Sequence, residues 1–235
     1  MKRLLIILLL LFLPAFLVGF AFHGTLSAAP NRVFVSVAPQ KYFVDRIGGN
    51  RVKVSVLVPA GAEPHTFEPK PAAMVELSRS AAWFTIGIPF EENLKPRLSS
   101  ANDELAIVRT EEGISRSDHG HDGVDPHIWL SPRLVKEQAE NILQGLIRID
   151  PAGEKAYRAN ARRFKAELDA LDRELRTLFA GVRDKSFLVF HPSWGYLAAD
   201  YGLVQVAIEV EGKEPKGADL ARITRLAREK RIRVV

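Results

Sequence analysis

One long amphipathic helix, predicted between Asp150 and Gly181, constrains this chain more than any other feature. Its apolar residues recur alternately four and three positions apart, with charged residues between them: Tyr157, Ala161, Phe164, Leu168, Leu171, Leu175 and Leu178. At about 1.5 Å per residue such a helix is about 40 Å long, enough to pass along two lobes. The spacing also fits a coiled coil between two chains, but the repeat is short. We therefore predict a monomer in which the helix is an internal spine.

Strand-like and helix-like segments alternate on both sides of this helix, in the rhythm of parallel α/β sheets. Before it come the strand patterns VFVSVAP, VKVSVLV, AWFTIGI and a weaker one at 105–108, the helix patterns KYFVDRIGG and PAAMVELSRSA, and a helix from Ser131 to about Ile149. After it come FLVF, a helix at 193–201, VQVAIEV, a helix at 218–230 and IRVV. The predicted fold class is α/β, with parallel-sheet lobes at residues 30–150 (the first lobe) and 183–235 (the second lobe) and the spine at 151–182. Because the chain ends inside the apparent strand IRVV, we expect the second lobe to be incomplete.

The first 29 residues have the pattern of an export signal. Lys2 and Arg3 precede an apolar run at 4–22, and Ser27-Ala28-Ala29 offers a small-residue cleavage site. The run is long enough for an uncleaved membrane anchor, but a proline and a glycine interrupt it. We predict cleavage, which places the protein in the periplasm or another extracytoplasmic compartment.

Composition narrows the chemistry that is open to the chain. It has no cysteine, so a lipid-modified N-terminal Cys, a disulfide and a thiolate metal site are all excluded, and any metal must be held by nitrogen and oxygen. The formal charge of +5 falls to +3 once the two basic residues of the signal are removed. The remaining Lys and Arg lie among acidic residues on helix faces, so no nucleic-acid partner is predicted.

The histidines after the signal lie in loops and at strand ends, several beside prolines. His65 follows Pro64, His127 follows Pro126, and His191 ends the strand FLVF. Proline favours an extended preceding residue, and ligands of open α/β sheets collect at the carboxyl ends of strands. Neutral imidazole is a favoured Zn²⁺ ligand, and three would supply most of a tetrahedral site. The spacing matches no short-range zinc motif, so from the residues alone each histidine could equally be an ordinary hydrogen-bonded side chain.

Three motifs together resemble the zinc and manganese family of ABC-importer solute-binding proteins. They are GAEPHTFEPKP around His65, DPHIWLSP around His127 and FHPSWGYLAADYGL around His191, with the long helix between the second and the third. The resemblance spans residues 33–235. It implies two α/β lobes joined by one rigid helix, a metal held between them, ligands His65 and His127 from the first lobe, and ligand His191 from the second.

The same resemblance bears on which metal is bound and on the fourth ligand. Manganese-type members carry a carboxylate where this chain has His191, and imidazole suits zinc better than manganese, so we predict Zn²⁺ rather than Mn²⁺. The family's fourth donor, a carboxylate or water, is expected beyond Val235. Glu63 is a substitute candidate, or a partner for an imidazole N–H, although a solvated loop glutamate is the simpler interpretation.

Residues beside the motifs carry weaker hypotheses. His119 and His121 lie in a polar loop at 111–124 and form either a weak, flexible metal site or a solvated turn. Trp129 and Trp194 are interpreted as walls of the cleft or as core residues.

Two glutamates lie at the end of the strand VQVAIEV. Glu209 and Glu211 are interpreted as exposed loop residues in preference to residues that contact the cleft.

These observations favour a receptor over an enzyme. The predicted function is to capture Zn²⁺ outside the membrane and deliver it to the permease of an ABC importer, with membrane contact only through that permease or an uncleaved signal. One alternative is a secreted zinc hydrolase with a three-histidine site, for which Glu63 would be the general base. Another is a manganese-type receptor or a surface-anchored adhesin of the same family.

Overall fold

The computed structural model describes residues 29–59, 61–62, 67–119, 124–209, 216–230 and 232. The predicted export signal, up to residue 28, lies outside these residues. Within them, no helix combines the length and the apolar character that a membrane crossing requires.

A parallel sheet forms the centre of the first lobe. Its strands are β1 (Asn31–Val35), β2 (Val52–Val56), β3 (Ala82–Thr85) and β4 (Ala106–Arg109), in the spatial order β2-β1-β3-β4. The connection after β1 runs to β2 on one side and the connection after β3 runs to β4 on the other, so a topological switch point lies between β1 and β3. Such a switch point is where α/β sheets bind ligands, outside the carboxyl ends of the strands. The α/β class predicted from the sequence is confirmed.

Four helices of the first lobe pack around this sheet. They are α1 (Ala38–Gly48), α2 (Pro71–Ser78), α3 (Pro89–Ala101) and α4 (Pro132–Ile149). Helix α4 begins as predicted: the Ser131 hydroxyl oxygen accepts the Leu134 amide at 3.2 Å, and Pro132 occupies the first turn. The sequence patterns assigned no element to α3, because its internal Pro96 breaks a helical pattern and removes one donor. Burial of Phe90, Leu94 and Leu98 stabilises α3 in spite of that proline.

The spine helix α5 (Glu154–Ala180) confirms the prediction of one long helix. Its buried residues all lie between Glu154 and Leu168, where they pack against α1 and α4: Tyr157, Ala161, Phe164 and Leu168. Farther along, Leu171 and Leu178 are 42% and 62% exposed. The base is fixed by Asp150, whose carboxylate accepts Arg51 Nε at 2.7 Å, Arg51 Nη2 at 2.9 Å and the Tyr157 hydroxyl at 2.6 Å.

The second lobe contributes two parallel strands, β5 (Ser186–Val189) and β6 (Val204–Ala207), with α6 (Gly195–Tyr201) between them and α7 (Gly217–Glu229) after them. Tyr201 joins α6 to the spine, since its hydroxyl donates to Asp172 at 3.0 Å. The strands FLVF and VQVAIEV and both helices are found close to their predicted bounds. The final predicted strand, IRVV, lies outside the described residues except for Ile232, so the expectation of an incomplete second lobe stays a prediction.

Candidate functional site

Two of the predicted ligands meet where the first and second lobes face each other. The ring centroids of His127 and His191 are 5.1 Å apart, with ring planes at 68°. His127 precedes the short 3-10 turn Ile128–Leu130 that leads into α4, and His191 comes two residues after β5. One imidazole from each lobe thus lies within reach of a common small ligand.

The His127 ring is held by Asp125, two residues earlier. One Asp125 carboxylate oxygen lies 2.7 Å from His127 Nδ1 and also accepts the His127 backbone N–H at 2.8 Å. Both residues are buried. Because an ionised carboxylate only accepts hydrogen bonds, Nδ1 is the protonated nitrogen and Nε2 is the one with a lone pair to offer a metal.

The His191 ring has an equivalent carboxylate, supplied by Glu209. Nδ1 of His191 and Oε2 of Glu209 are 2.6 Å apart. Strands β5 and β6 pair Val189 with Ala207, and the pairing continues through Glu209 N to Phe190 O at 3.0 Å. Positions 191 and 209 therefore lie side by side at the carboxyl edge of the sheet.

The interpretation of Glu209 as an exposed loop residue is wrong. Its side chain is only 14% exposed, because it packs beside His191 and its carboxylate is engaged by the imidazole. The sequence contains the signal. His191 comes directly after the strand FLVF, Glu209 lies near the end of the strand VQVAIEV, and neighbouring parallel strands end at the same edge of a sheet. Asp125 was also missed, although the Asp-Pro-His order places a carboxylate two residues before an imidazole. Glu211 lies outside the described residues.

Trp129 forms a wall beside the first of these histidines. Its ring lies 4.9 Å from the His127 ring, edge to face, and it packs against both apolar clusters of the first lobe. Trp194 is 39% exposed and is not a core residue, although its backbone N–H donates to Gln205 Oε1 at 2.7 Å.

The other predicted ligands are placed differently. His65, Glu63 and His121 lie outside the described residues. His119 is described, and its ring packs edge-on against Tyr196 with centroids 4.5 Å apart. Among the residues that the structure describes, no group of three or more His, Asp or Glu side chains is arranged to hold a metal. The described chain therefore supplies two imidazoles of the predicted set.

A buried amide network ties the strand ends beneath this site together. Gln40 donates from Nε2 to Thr85 O at 2.9 Å and to Thr110 Oγ1 at 3.0 Å, and its Oε1 accepts the Ser36 and Val37 amides at 3.1 Å each. These residues follow or end β1, β3 and β4. The network fixes the positions from which the loops of the first lobe leave the sheet.

A buried carboxyl lies beside that network. Glu91 accepts the backbone N–H groups of Ile86, Gly87 and Ile88 at 3.0, 2.7 and 3.1 Å, which caps α3. Burial raises the pKa of Glu91 to about 7, and the nearby charge of Glu111 acts in the same direction. No charge pattern in the sequence distinguishes Glu91 from its exposed neighbour Glu92.

Comparison with known proteins gives a consistent set of relatives. Residues 33–235 match the family described as zinc-uptake complex component A, periplasmic. The chain is 30% identical over 221 residues to the high-affinity zinc uptake system protein ZnuA of Bacillus subtilis, covering 86% of this chain and 69% of that protein. It is 31% identical over 212 residues to the zinc-binding lipoprotein AdcA of Streptococcus pneumoniae, covering 83% of this chain and 42% of that protein.

Solved structures give the same result. A crystal structure of ZnuA superposes with a TM-score of 0.80 at 42% identity, covering 86% of this chain and 79% of the other. The Zn(II)-bound ZnuA-like domain of Streptococcus pneumoniae AdcA superposes with a TM-score of 0.74 at 27% identity, covering 86% and 76% of the two chains.

Proposed function

The chain belongs to the family of periplasmic zinc-uptake components, and from that premise we propose that it captures Zn²⁺ outside the cytoplasmic membrane and delivers it to the permease of an ABC importer. The observation that carries the proposal is the facing pair His127 and His191, one from each lobe, with ring centroids 5.1 Å apart. A ligand held by both would bridge the lobes, as capture and release require.

The proposed metal site consists of His65, His127 and His191. In two of them a carboxylate lies 2.6–2.7 Å from Nδ1, the arrangement that orients an imidazole and raises its basicity toward a metal at Nε2. In the sequence His65 comes after β2, which ends at Val56, and it lies outside the described residues. A tetrahedral site needs one more ligand, for which we propose a carboxylate or water, with Glu63 as a substitute candidate.

Imidazole ligands favour Zn²⁺ over Mn²⁺ in this proposal. Manganese prefers carboxylate, carbonyl and water oxygen, whereas the two described ligands are both neutral nitrogens. The carboxylates nearest to them, Asp125 and Glu209, are engaged with the Nδ1 atoms. They therefore act on the imidazoles, and the ligand set keeps its nitrogen character.

The same engagement argues against a hydrolase. A zinc hydrolase needs a general base close to the metal-bound water. Because Asp125 and Glu209 hold imidazoles, Glu63 is the remaining candidate base. We propose a receptor without catalytic activity; zinc-dependent ester or peptide hydrolysis that is abolished by Glu63→Gln would favour the enzyme instead.

The proposal also covers export and the loop histidines. We infer that residues 1–29 are removed as a signal, which sequencing of the N-terminus of the exported protein tests directly. The His119 ring packs against Tyr196, so the tight site does not include it.

Calorimetric titration with Zn²⁺ tests the site. His65→Ala, His127→Ala and His191→Ala are each expected to lower zinc affinity by about 100-fold or more, since the loss of a ligand costs more than the loss of a residue that only orients one. Glu167→Ala, at an exposed position of the spine, is the control, expected to leave the tight site unchanged. The assignment is wrong if all three ligand variants bind zinc as the unmodified protein does.

A further inference from the structure

A tyrosine hydroxyl of the second lobe reaches into the loop that carries Asp125. Tyr196, on α6, donates to the Asp125 backbone carbonyl at 2.9 Å and accepts the Ser117 backbone N–H at 3.1 Å. The Asp125 N–H donates in turn to Ser117 O at 2.8 Å, which closes the base of the loop. The one hydroxyl group therefore donates one hydrogen bond and accepts another, and so holds both ends of the loop, at Ser117 and at Asp125.

The contact is buried and closely fitted. Tyr196 is 4% exposed, and its ring belongs to an apolar cluster of the first lobe together with Ile128 and Trp83. The loop also rests on Gly195, where a Cβ atom would lie 2.3 Å from the Cβ of His119. The first lobe's loop is thus seated on a helix that follows β5.

Asp125 connects this contact to the metal site. Its carboxylate fixes the His127 ring through Nδ1, while its own backbone is held by the Tyr196 hydroxyl. Three residues form a chain from the second lobe to a ligand of the first. A shift of the carbonyl of Asp125 would move the carboxylate and with it the direction of His127 Nε2.

We propose that Tyr196 is a positioning residue of the metal site, which acts through Asp125 on His127 and makes the geometry of that ligand depend on contact with the second lobe. The inference rests on the proposed function, since it concerns the same site. It assigns the role to the hydroxyl alone, because the ring has a separate packing role in the core.

Tyr201 provides a matched control on the same helix. Its hydroxyl also donates to a carboxylate, that of Asp172 on the spine, at 3.0 Å, and it is 8% exposed. That bond leads to the spine helix and has no link to Asp125. Tyr196→Phe and Tyr201→Phe therefore remove the same buried group, and only the first disconnects the metal site.

The experiment compares Zn²⁺ affinity, by competition with a chromophoric chelator, and the visible absorption of bound Co²⁺, which reports ligand geometry. Tyr196→Phe is expected to weaken zinc binding about tenfold, the lower end for residues that orient ligands, and to change the Co²⁺ spectrum. Tyr201→Phe is expected to leave the affinity within about twofold and the spectrum unchanged. Equal effects of the two substitutions would overturn the inference.

A double-mutant cycle tests whether the effect travels through Asp125. In an Asp125→Ala background, Tyr196→Phe is expected to have no further effect on affinity, because the connecting carboxylate is gone. Additive losses would show that the hydroxyl acts only on stability, and would overturn the inference. The cycle distinguishes action through Asp125 from a general loss of stability even if Tyr196→Phe lowers the thermal midpoint, because a general loss of stability acts in both backgrounds.

Failure of this inference is distinguishable from failure of the proposed function. If the unmodified protein does not bind zinc, or if His127→Ala binds zinc as tightly as the unmodified protein does, the proposed site itself is wrong. If the histidine variants lose zinc and Tyr196→Phe matches Tyr201→Phe, the site stands and the positioning role of Tyr196 does not.

Discussion

The two lobes hold their facing histidines by different means. In the first lobe the orienting carboxylate is local, since Asp125 lies two residues from His127. It accepts hydrogen bonds from Nδ1 of the His127 ring and from the His127 backbone N–H. In the second lobe the carboxylate comes from 18 positions away, and only the pairing of β5 with β6 brings Glu209 to His191. Burial differs as well: the side chain of His127 is 9% exposed and that of His191 is 33% exposed. The first imidazole is thus the more firmly preset, and the second depends more on the packing of its lobe.

The largest expected effect is on zinc affinity, and it is similar for the two histidines. His127→Ala and His191→Ala should each weaken zinc binding by about 100-fold or more, since each removes a proposed ligand. They should differ in the metal-free protein, where loss of the buried His127 leaves Asp125 without its ring partner and lowers the thermal midpoint more. Calorimetry and thermal unfolding measure the two quantities. A greater loss of stability in His191→Ala would contradict the comparison.

The orienting carboxylates should separate the lobes more sharply. Asp125→Asn and Glu209→Gln are both expected to lower zinc affinity by roughly 10–100-fold. Asp125→Asn should be the more severe, because it removes a negative charge beside the imidazole in a fully buried position, where water screens that charge least. The same titration measures both. Glu167→Gln, on the exposed face of the spine, is the control and should bind as the unmodified protein does. An equal or reversed order would show that strand pairing holds an imidazole as firmly as the local turn does.

A smaller effect concerns the base of the spine in the first lobe. Asp150→Asn should destabilise the protein by about 1 kcal/mol at neutral pH, a modest value because its partner Arg51 is partly exposed. The Arg51 guanidinium holds the pKa of Asp150 below its usual range, so the stabilisation is present above about pH 4 and is lost as pH falls through the lowered value. Chemical denaturation at several pH values measures this. Glu154→Gln, which breaks an exposed pair with Arg158, should change nothing.

The last expected effect is a slope in the dependence of the unfolding free energy on pH. Burial raises the pKa of Glu91 to about 7, so the folded first lobe favours the neutral carboxyl. The contribution of Glu91 to stability is therefore complete below about pH 4.5 and is lost as pH rises toward 7, by at most about 1.4 kcal/mol per pH unit. Glu91→Gln should remove this slope from the difference in unfolding free energy, while Glu92→Gln should keep it. A slope that persists in Glu91→Gln would assign it to another group.

Local patterns predicted much of the fold. The heptad spacing of α5, the Ser131-Pro132 start of α4 and the strand patterns each depend on neighbours along the chain, so they could be identified from the sequence. Helix α3 could not, because its stability comes from burial of apolar side chains against a sheet and overrides the proline inside it.

The residues of the site show the same distinction between local sequence patterns and tertiary packing. His127 and His191 were found through their motifs, but Glu209 was interpreted as exposed, because the pairing register that buries it is a tertiary property. Gln40 and Tyr196 were missed for the same reason: each has partners in other elements that lie 45–79 positions away.

The uneven packing of the spine determines how α6 is attached. Beyond Leu168 no side chain of α5 is buried, and the Tyr201 hydroxyl of α6 is bonded there to Asp172. The neighbouring Asp200 pairs with Arg133 at the start of α4. Helix α6 therefore supports the exposed part of the spine from the first lobe, so the long helix is held near both ends.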